Sequence, residues 1–286
     1  MDIALGVIGG SGFYSMEGLE ILEERSIETP FGHPSDQLII GKLERRQVVF
    51  LARHGRSHQF NPTHVPYQAN IWAMKSLGVK WLVSVSAVGS LKEELPPRSV
   101  VVPNQLIDRT KHRPNTFFDP VAVHVSFGDP YCPLLSGLLA EAARSSSVQT
   151  QLGGTYVCME GPLFSTRAES ELYRSWDASV IGMTAVPEAK LAREAEIAYS
   201  ALCFVTDYDC WKDEEVSVDM VIENLHANAE NAAKAIRYVA AHLDSLKGES
   251  PAHTALKTAL LTAPEAYPPH LLDKVRLLLA RARPDL

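Results

Sequence analysis

No stretch of the chain reaches the roughly 18 apolar residues that a membrane-spanning helix needs. The start, MDIALGVIGG, has no basic segment before it turns to glycine. A secretory leader is therefore not expected, and a cytoplasmic location without membrane attachment is. Cysteine is scarce: Cys132, Cys158, Cys203 and Cys210 form no CxxC pair and show no zinc-ligand spacing. Cys158 and Cys203 fall in apolar runs, where a buried free thiol is the ordinary state and no disulfide is expected. Positive charge is also in short supply. The 27 Lys and Arg against 34 Asp and Glu leave a net charge of -7, which argues against a nucleic-acid partner, whose phosphates need a basic face. A local site can still be cationic on an acidic protein, so a small anion remains open as a ligand. Repeats, low-complexity segments, long polar linkers and metal-ligand clusters are missing too, and neither a metal nor an organic cofactor is implied.

What is present is an ordinary globular chain of 286 residues, 46% hydrophobic and 21% charged, long enough to bury a substantial core. Short Val- and Ile-rich runs at residues 3–8, 48–52, 81–85, 100–102, 155–158, 180–183 and 197–205 read as buried strands. Helical patterns lie between them. Asn61-Pro62 reads as a cap and first turn leading into YQANIWAMKSLG, which ends at Gly78. Residues 165–176 open on the hydroxyl of Ser165 with Glu169 in the early part, and residues 187–195 form a short helix. The longest helix starts near Asp219, with Val221, Leu225, Ala229, Ala232, Ile236, Val239 and Leu243 as one apolar stripe. Residues 251–283 read as two further amphipathic helices broken around residues 264–269. Strands alternating with helices predict an α/β fold, a mixed twisted sheet flanked by helices in a single domain. Residues 1–250 carry the α/β body, and residues 251–286 form a helical extension of the same domain.

In such folds the loops at strand C-terminal ends carry the chemistry. Gly9-Gly10-Ser11-Gly12 follows the first strand. Its backbone can approach an anion closely, or it is simply a tight turn; the spacing is not the GxGxxG of a dinucleotide site. Arg53-His54-Gly55-Arg56 ends another strand as a compact cationic corner. Two arginines there call for an anion, as a ligand or as a salt-bridge partner, and His58 could line the same pocket. Ser86 and Ala87 end a third strand, able to donate a hydroxyl and a backbone N–H to an oxyanion or merely to make a strand-to-loop transition. Met183-Thr184 ends a fourth, followed by Glu188. Asp207-Tyr208-Asp209 closes a fifth. Two carboxylates at the end of a buried strand are costly unless paired or used, and a partly buried Asp can hold its proton near neutral pH. A turn or cap is the other reading.

Taken in order, IGGSGFY, RHGR, YQANIWA, SAVGSL, IDRT, MEGPLFSTRAES, IGMTAVPEAKLAREAE, TDYDCW and VSVD resemble the trimeric purine-nucleoside phosphorylase family, and within it the methylthioadenosine phosphorylase branch. The resemblance runs from Ile8 to about Leu243, and the tail after Ser250 matches less closely. It implies a phosphate site of Ser11, Arg53, His54, Ser86, Ala87 and Thr184. It places Met183 on the ribose, Phe164 on the purine face, and Ser165, Asp207 and Asp209 at the base edge. Val218 and Val221 would make an apolar pocket for a 5'-methylthio group. His124, in the segment 121–129, would reach a neighbouring subunit's site in a homotrimer. Relatives acting on 6-oxopurines carry Glu after the stacking Phe and Asn where this chain has Asp207. Ser165 and Asp207 therefore give the adenine pattern, which fits an amino group that donates rather than an oxo group that accepts. The implied activity is phosphorolysis of S-methyl-5'-thioadenosine to adenine and 5-methylthioribose 1-phosphate, with phosphate as co-substrate and Asp207 as proton donor. The alternatives are a phosphorylase of 6-oxopurine nucleosides or 5'-methylthioinosine and, more distantly, a nucleoside-binding protein without turnover.

Overall fold

The computed structural model describes residues 3–10, 16–212 and 218–286. Among them one mixed eleven-stranded sheet forms the spine. β1 (Leu5–Gly9) lies between β4 (Arg46–Ala52) and β5 (Trp81–Ser90), parallel to both. β2 (Glu20–Arg25) and β3 (Leu38–Leu43) extend the sheet antiparallel beyond β4. The long β5 pairs in parallel with β11 (Ala198–Asp207), and its last residues turn to meet β10 (Val180–Gly182) antiparallel. β10 continues to β9 (Thr155–Met159) and then β7 (Gln105–Arg109), while β11 leads to β6 (Val100–Val102) and β8 (Thr150–Leu152). The predicted α/β sheet flanked by helices is the observed one.

Central strands are apolar on both faces because both faces are covered. Alternate residues enter different cores. Ile8, Leu82 and Cys203 pack with Ile71 and Met74 of α1 (Tyr67–Ser76), Leu191 of α4 (Ala185–Glu194) and Val275 of α6 (Pro269–Leu279). Their neighbours Val7, Val83 and Leu202 pack with Leu135 and Leu139 of α2 (Pro133–Ser145) and with Ile236 and Val239 of α5 (Val218–His242). The remaining helix, α3 (Arg167–Ser175), covers a smaller cluster around Val157 and Tyr173.

Three expectations about helices are corrected. α1 begins at Tyr67, not at Asn61, because the Asn61 side chain folds a separate turn by accepting from the N–H groups of Thr63 and His64 at 3.1 and 3.0 Å. α3 is capped by Thr166 rather than Ser165: the Thr166 hydroxyl accepts from Glu169 N–H at 3.2 Å, and Glu169 accepts in return from Thr166 N–H at 2.8 Å. The first tail helix is replaced by a 3-10 turn, Pro251–Thr254, and irregular chain. Backbone groups that a helix would pair internally are taken by the domain: Leu256 N–H donates to Glu196, the Ala259 carbonyl accepts from His124 N–H, and Leu260 bridges to Val123. Leu256, Leu271 and Val275 belong to the same core as Ile8.

Candidate active site

The C-terminal ends of β4, β5, β9, β10 and β11 converge. At the end of β4, Arg53 turns inward and is buried, and the anion beside it is internal. Nε and Nη2 hold both oxygens of the buried Glu188 carboxylate at 2.8 and 3.1 Å. The same guanidinium donates to the Val85 and Ile8 carbonyls and, at 2.7 Å, to the Ser84 hydroxyl, while Tyr199 OH donates to Glu188 from the far side. Among the described residues only one Nη1 N–H of the five guanidinium donors has no protein acceptor. Arg53 thus frames the corner more than it projects into it.

His54 is fixed through Nδ1, 2.8 Å from the Phe60 carbonyl, and its ring stacks on His58 at 4.5 Å. A carbonyl can only accept, so Nδ1 carries the proton and Nε2 is left as an acceptor in the neutral ring. Burial and the adjacent Arg53 cation push the imidazole down to about 4, so it is neutral at pH 7. On β5, the Ser86 hydroxyl lies 3.3 Å from that of Thr184 at the end of β10. Two hydroxyls this close can both donate to one oxyanion, and the exposed part of Ala87 follows directly.

Asp207 stands where β11 slips register against β5 between Val205 and Asp207. Bulges of this kind re-aim a side chain. Its Oδ2 accepts from the Thr206 hydroxyl at 2.7 Å and its Oδ1 from Asp209 N–H at 2.8 Å. The second bond requires the chain to fold back, and Asp209 does so at φ +52°, a region Asp tolerates better than most residues. Both aspartates are buried. Burial raises the Asp207 carboxyl above its ordinary value despite the two bonds that favour the anion, and it raises Asp209 as well, helped by the Asp207 charge.

Freed from capping, the Ser165 hydroxyl points to the Met159 sulfur at 3.7 Å, and Cys210 Sγ reaches the Ser165 carbonyl at 3.2 Å, which ties Ser165 to the Asp209 loop. Phe164 is 43% exposed beside it, next to Leu163 at 83%. Met183 lies over Gly161: a Cβ added there would meet Met183 Sδ at 2.5 Å, and the φ of +70° is one that side-chain-bearing residues rarely adopt. Val221 is half-buried on α5, one turn before Asn224, whose amide donates to the Thr206 carbonyl at 2.8 Å and so pins the helix start beside Asp207. Val218 opens that helix, but its side chain lies outside the described residues, as does Ser11. His124 is exposed and joined by its N–H to the C-terminal segment rather than to this cluster.

The close approach at Gly89 makes a direct prediction. A Cβ there would sit 2.9 Å from Asp207 Oδ1 and 3.2 Å from Ile181 Cγ2, and the strand cannot move away. Gly89→Ala is expected to displace the carboxyl and lower kcat by roughly tenfold, given how steeply rates depend on sub-ångström placement. Steady-state kinetics with a melting curve checks this; an unchanged kcat would mean that the Asp207 position is not critical.

Sequence reading overlooked Arg113, Glu160 and Thr206, and it noted Glu188 without giving it a role. Arg113 is one of several cations in IDRTKHR, a run that looks like a solvated face, and Glu188 and Glu160 look like surface acids until their buried partners are seen.

The chain belongs to the phosphorylase superfamily, whose sequence profile matches residues 4–241. It is 55% identical over 279 residues to the S-methyl-5'-thioadenosine phosphorylase of Prochlorococcus marinus, covering 96% of this chain and 89% of that one. It is 52% identical over 287 residues to the S-methyl-5'-thioadenosine phosphorylase of Thermosynechococcus vestitus, covering 98% and 99%. Among solved structures, a methylthioadenosine phosphorylase sourced from an antarctic soil metagenomic library superposes with a TM-score of 0.93 at 49% identity, covering 97% of this chain and 99% of that one. A mutant adenosine/methylthioadenosine phosphorylase from Schistosoma mansoni, in complex with methylthioadenosine, gives a TM-score of 0.82 at 32% identity, covering 91% and 99%.

Proposed function

We propose that this chain cleaves S-methyl-5'-thioadenosine with inorganic phosphate, releasing adenine and 5-methylthioribose 1-phosphate. One observation carries the reading. Along β5, the Ser86 hydroxyl pairs with that of Thr184 to offer an anion site, and three residues on, Gly89 lies against the buried Asp207 carboxyl, whose proton affinity burial raises. Three residues along a strand span about 10 Å, the room a sugar needs between an attacking phosphate and a departing base. Ser86, Thr184, Ala87 N–H, the remaining Nη1 N–H of Arg53, and Ser11 hold the phosphate, with His54 Nε2 accepting from a protonated phosphate oxygen. Met183 packs on the ribose and Phe164 covers the purine. Ser165 and Asp209 meet the base edge, His58 supports His54, and the 5' substituent is assigned to Val221 and, by its place in the sequence, Val218.

In the reaction the C1'–N9 bond breaks, its electron pair goes to adenine, and N7 takes the proton from Asp207. A phosphate oxygen forms the new bond to C1', and its negative charge steadies the cationic sugar on the way. Phosphate is the co-substrate, and the reaction runs without a metal or organic cofactor. The protein works as a cytoplasmic homotrimer in purine and methionine salvage, with His124 reaching a neighbouring subunit's site. Its exposure, and that of Leu261 at 72% beside the strand contact at Leu260, support this placement.

The base assignment is tested by assaying 5'-methylthioadenosine, 5'-methylthioinosine and inosine in parallel. Cleavage of the adenine compound alone, by a margin on the order of 10⁴-fold, is expected where a buried polar group would otherwise be left unpaired. Preferential cleavage of the inosine compounds would keep the phosphate site but overturn the roles of Ser165 and Asp207.

A further inference from the structure

We propose that Arg113, with Glu160, is a positioning residue that sets the spacing between the phosphate and sugar half of the site and its base half. The proposal rests on the phosphorolytic reading above. Arg113 lies in irregular chain between β7 and α2, yet its side chain is fully buried. Its fork reaches carbonyls on two separate loops. Nη1 donates to Met183 O at 2.6 Å and Val186 O at 2.5 Å, in the turn from β10 to α4; Nη2 donates to Glu160 O, at the end of β9. Met183 and Thr184 belong to the first loop, and Phe164 and Ser165 follow the second within five residues. A planar fork holds two such loops at one separation in a way a flexible ammonium cannot.

The Glu160 carboxylate ties in a third loop. It accepts from Arg113 Nε at 3.1 Å, from the Thr63 hydroxyl at 2.5 Å and from the Lys111 and His112 N–H groups. Thr63 lies just beyond the His54–His58 corner. Burial alone would raise Glu160, but these bonds and the Arg113 charge outweigh it and hold the carboxyl down to about 2, so Glu160 stays ionised across the working range. Tyr67 closes the knot, with its hydroxyl 3.3 Å from Nη1 and its ring beneath the guanidinium at 5.6 Å. The second Nη2 hydrogen turns to Met159 O at 3.5 Å, so among the described residues every Arg113 N–H has a protein acceptor and its effect on the reaction passes through the backbone it holds.

The test uses two full-length variants. Arg113→Lys keeps the charge and loses the fork. Glu160→Gln keeps an acceptor for Thr63 and loses the charge that orients Nε. For each, kcat and both KM values are measured with the wild-type's own preferred nucleoside, whichever base that carries, together with phosphate binding alone and the melting temperature. That choice of substrate separates failure of the positioning role from failure of the base assignment. Misplaced reacting groups lower turnover steeply, so Arg113→Lys is expected to reduce kcat by roughly 100-fold. Binding of phosphate alone should change less than about threefold, since the hydroxyl pair at Ser86 and Thr184 needs no reacting partner to bind. Glu160→Gln should reduce kcat by about fivefold to tenfold with the fold retained. A loss of activity that follows the unfolded fraction, with kcat per folded site unchanged, would overturn the proposal. If Arg113→Lys does not fold, an unchanged kcat in Glu160→Gln would overturn it equally.

Discussion

Asp207→Asn is expected to lower turnover by ~10²–10⁴-fold, the usual contribution of a positioned general acid, while phosphate binding stays nearly unchanged. The substitution keeps the shape of the side chain. The amide oxygen can still accept from Asp209 N–H, and the NH₂ group can donate to the Thr206 hydroxyl that donates in the native arrangement. What is lost is a proton that can be transferred to the leaving base, because an amide donates a hydrogen bond without giving up the hydrogen. The pH profile offers a second readout. A proton donor acts in its acid form, and burial raises the Asp207 carboxyl, so kcat/KM should fall as pH climbs through the raised value. Because Asp209 is raised partly by the Asp207 charge, that limb reports the pair and not one residue. In Asp207→Asn it should flatten. The same shift has a stability consequence: the folded protein holds a proton that the unfolded chain releases above its ordinary value of 3.8, so the native state loses stability as pH rises from there through the raised value. Full adenine release by Asp207→Asn would end the proton-donor role.

Arg53→Ala is the second large effect, and it acts on two levels. Removing one partner of a buried ion pair leaves the other charged and unpaired, at a cost of about 3–5 kcal/mol. Glu188, buried under Arg53 and Tyr199, would be left in that position, and the melting temperature should drop by on the order of 6–10 °C. The phosphate KM should also rise sharply, since the remaining Nη1 donor and the fixed course of the chain into His54 are lost together. The double variant Arg53→Met with Glu188→Leu separates the two effects, because replacing both charges by apolar groups is often close to neutral for stability. Stability should return while the phosphate defect persists. An unchanged phosphate dependence in Arg53→Ala would remove that residue from the phosphate site.

Seven of the eleven strands were legible as apolar runs, because the middle of a sheet covered on both faces has only one way to read. Of the other four, β3, LIIGKL, is an apolar and buried run whose signal was present and missed, while three were not legible. β2, EILEER, is an exposed edge strand rich in charge, and β7 and β8 are short and half-polar; their strand state comes from the neighbours they pair with, not from their own pattern. α2 is a different case. Leu135, Leu138, Leu139 and Ala142 stand at helical spacing behind a proline at the first turn, a signal that was available and overlooked. The site divides in the same way. Thr184 and Asp207 sit at strand ends, where chain direction alone places them, whereas Ser86 and Ala87, expected to end a strand, lie inside β5, which runs on to Ser90 through its pairing with β11 and β10. The internal role of Arg53 depends on Glu188, 135 residues away, and the buried fork of Arg113 reaches carbonyls up to 73 residues distant. Contacts of that length leave no periodicity in a single sequence.

The measurement that bears most directly on the function is adenine release from 5'-methylthioadenosine by the purified protein, with and without inorganic phosphate. Release that requires phosphate and yields equal amounts of 5-methylthioribose 1-phosphate is the expected result. Release at the same rate without phosphate, or binding of the nucleoside with no turnover under either condition, would contradict the assignment.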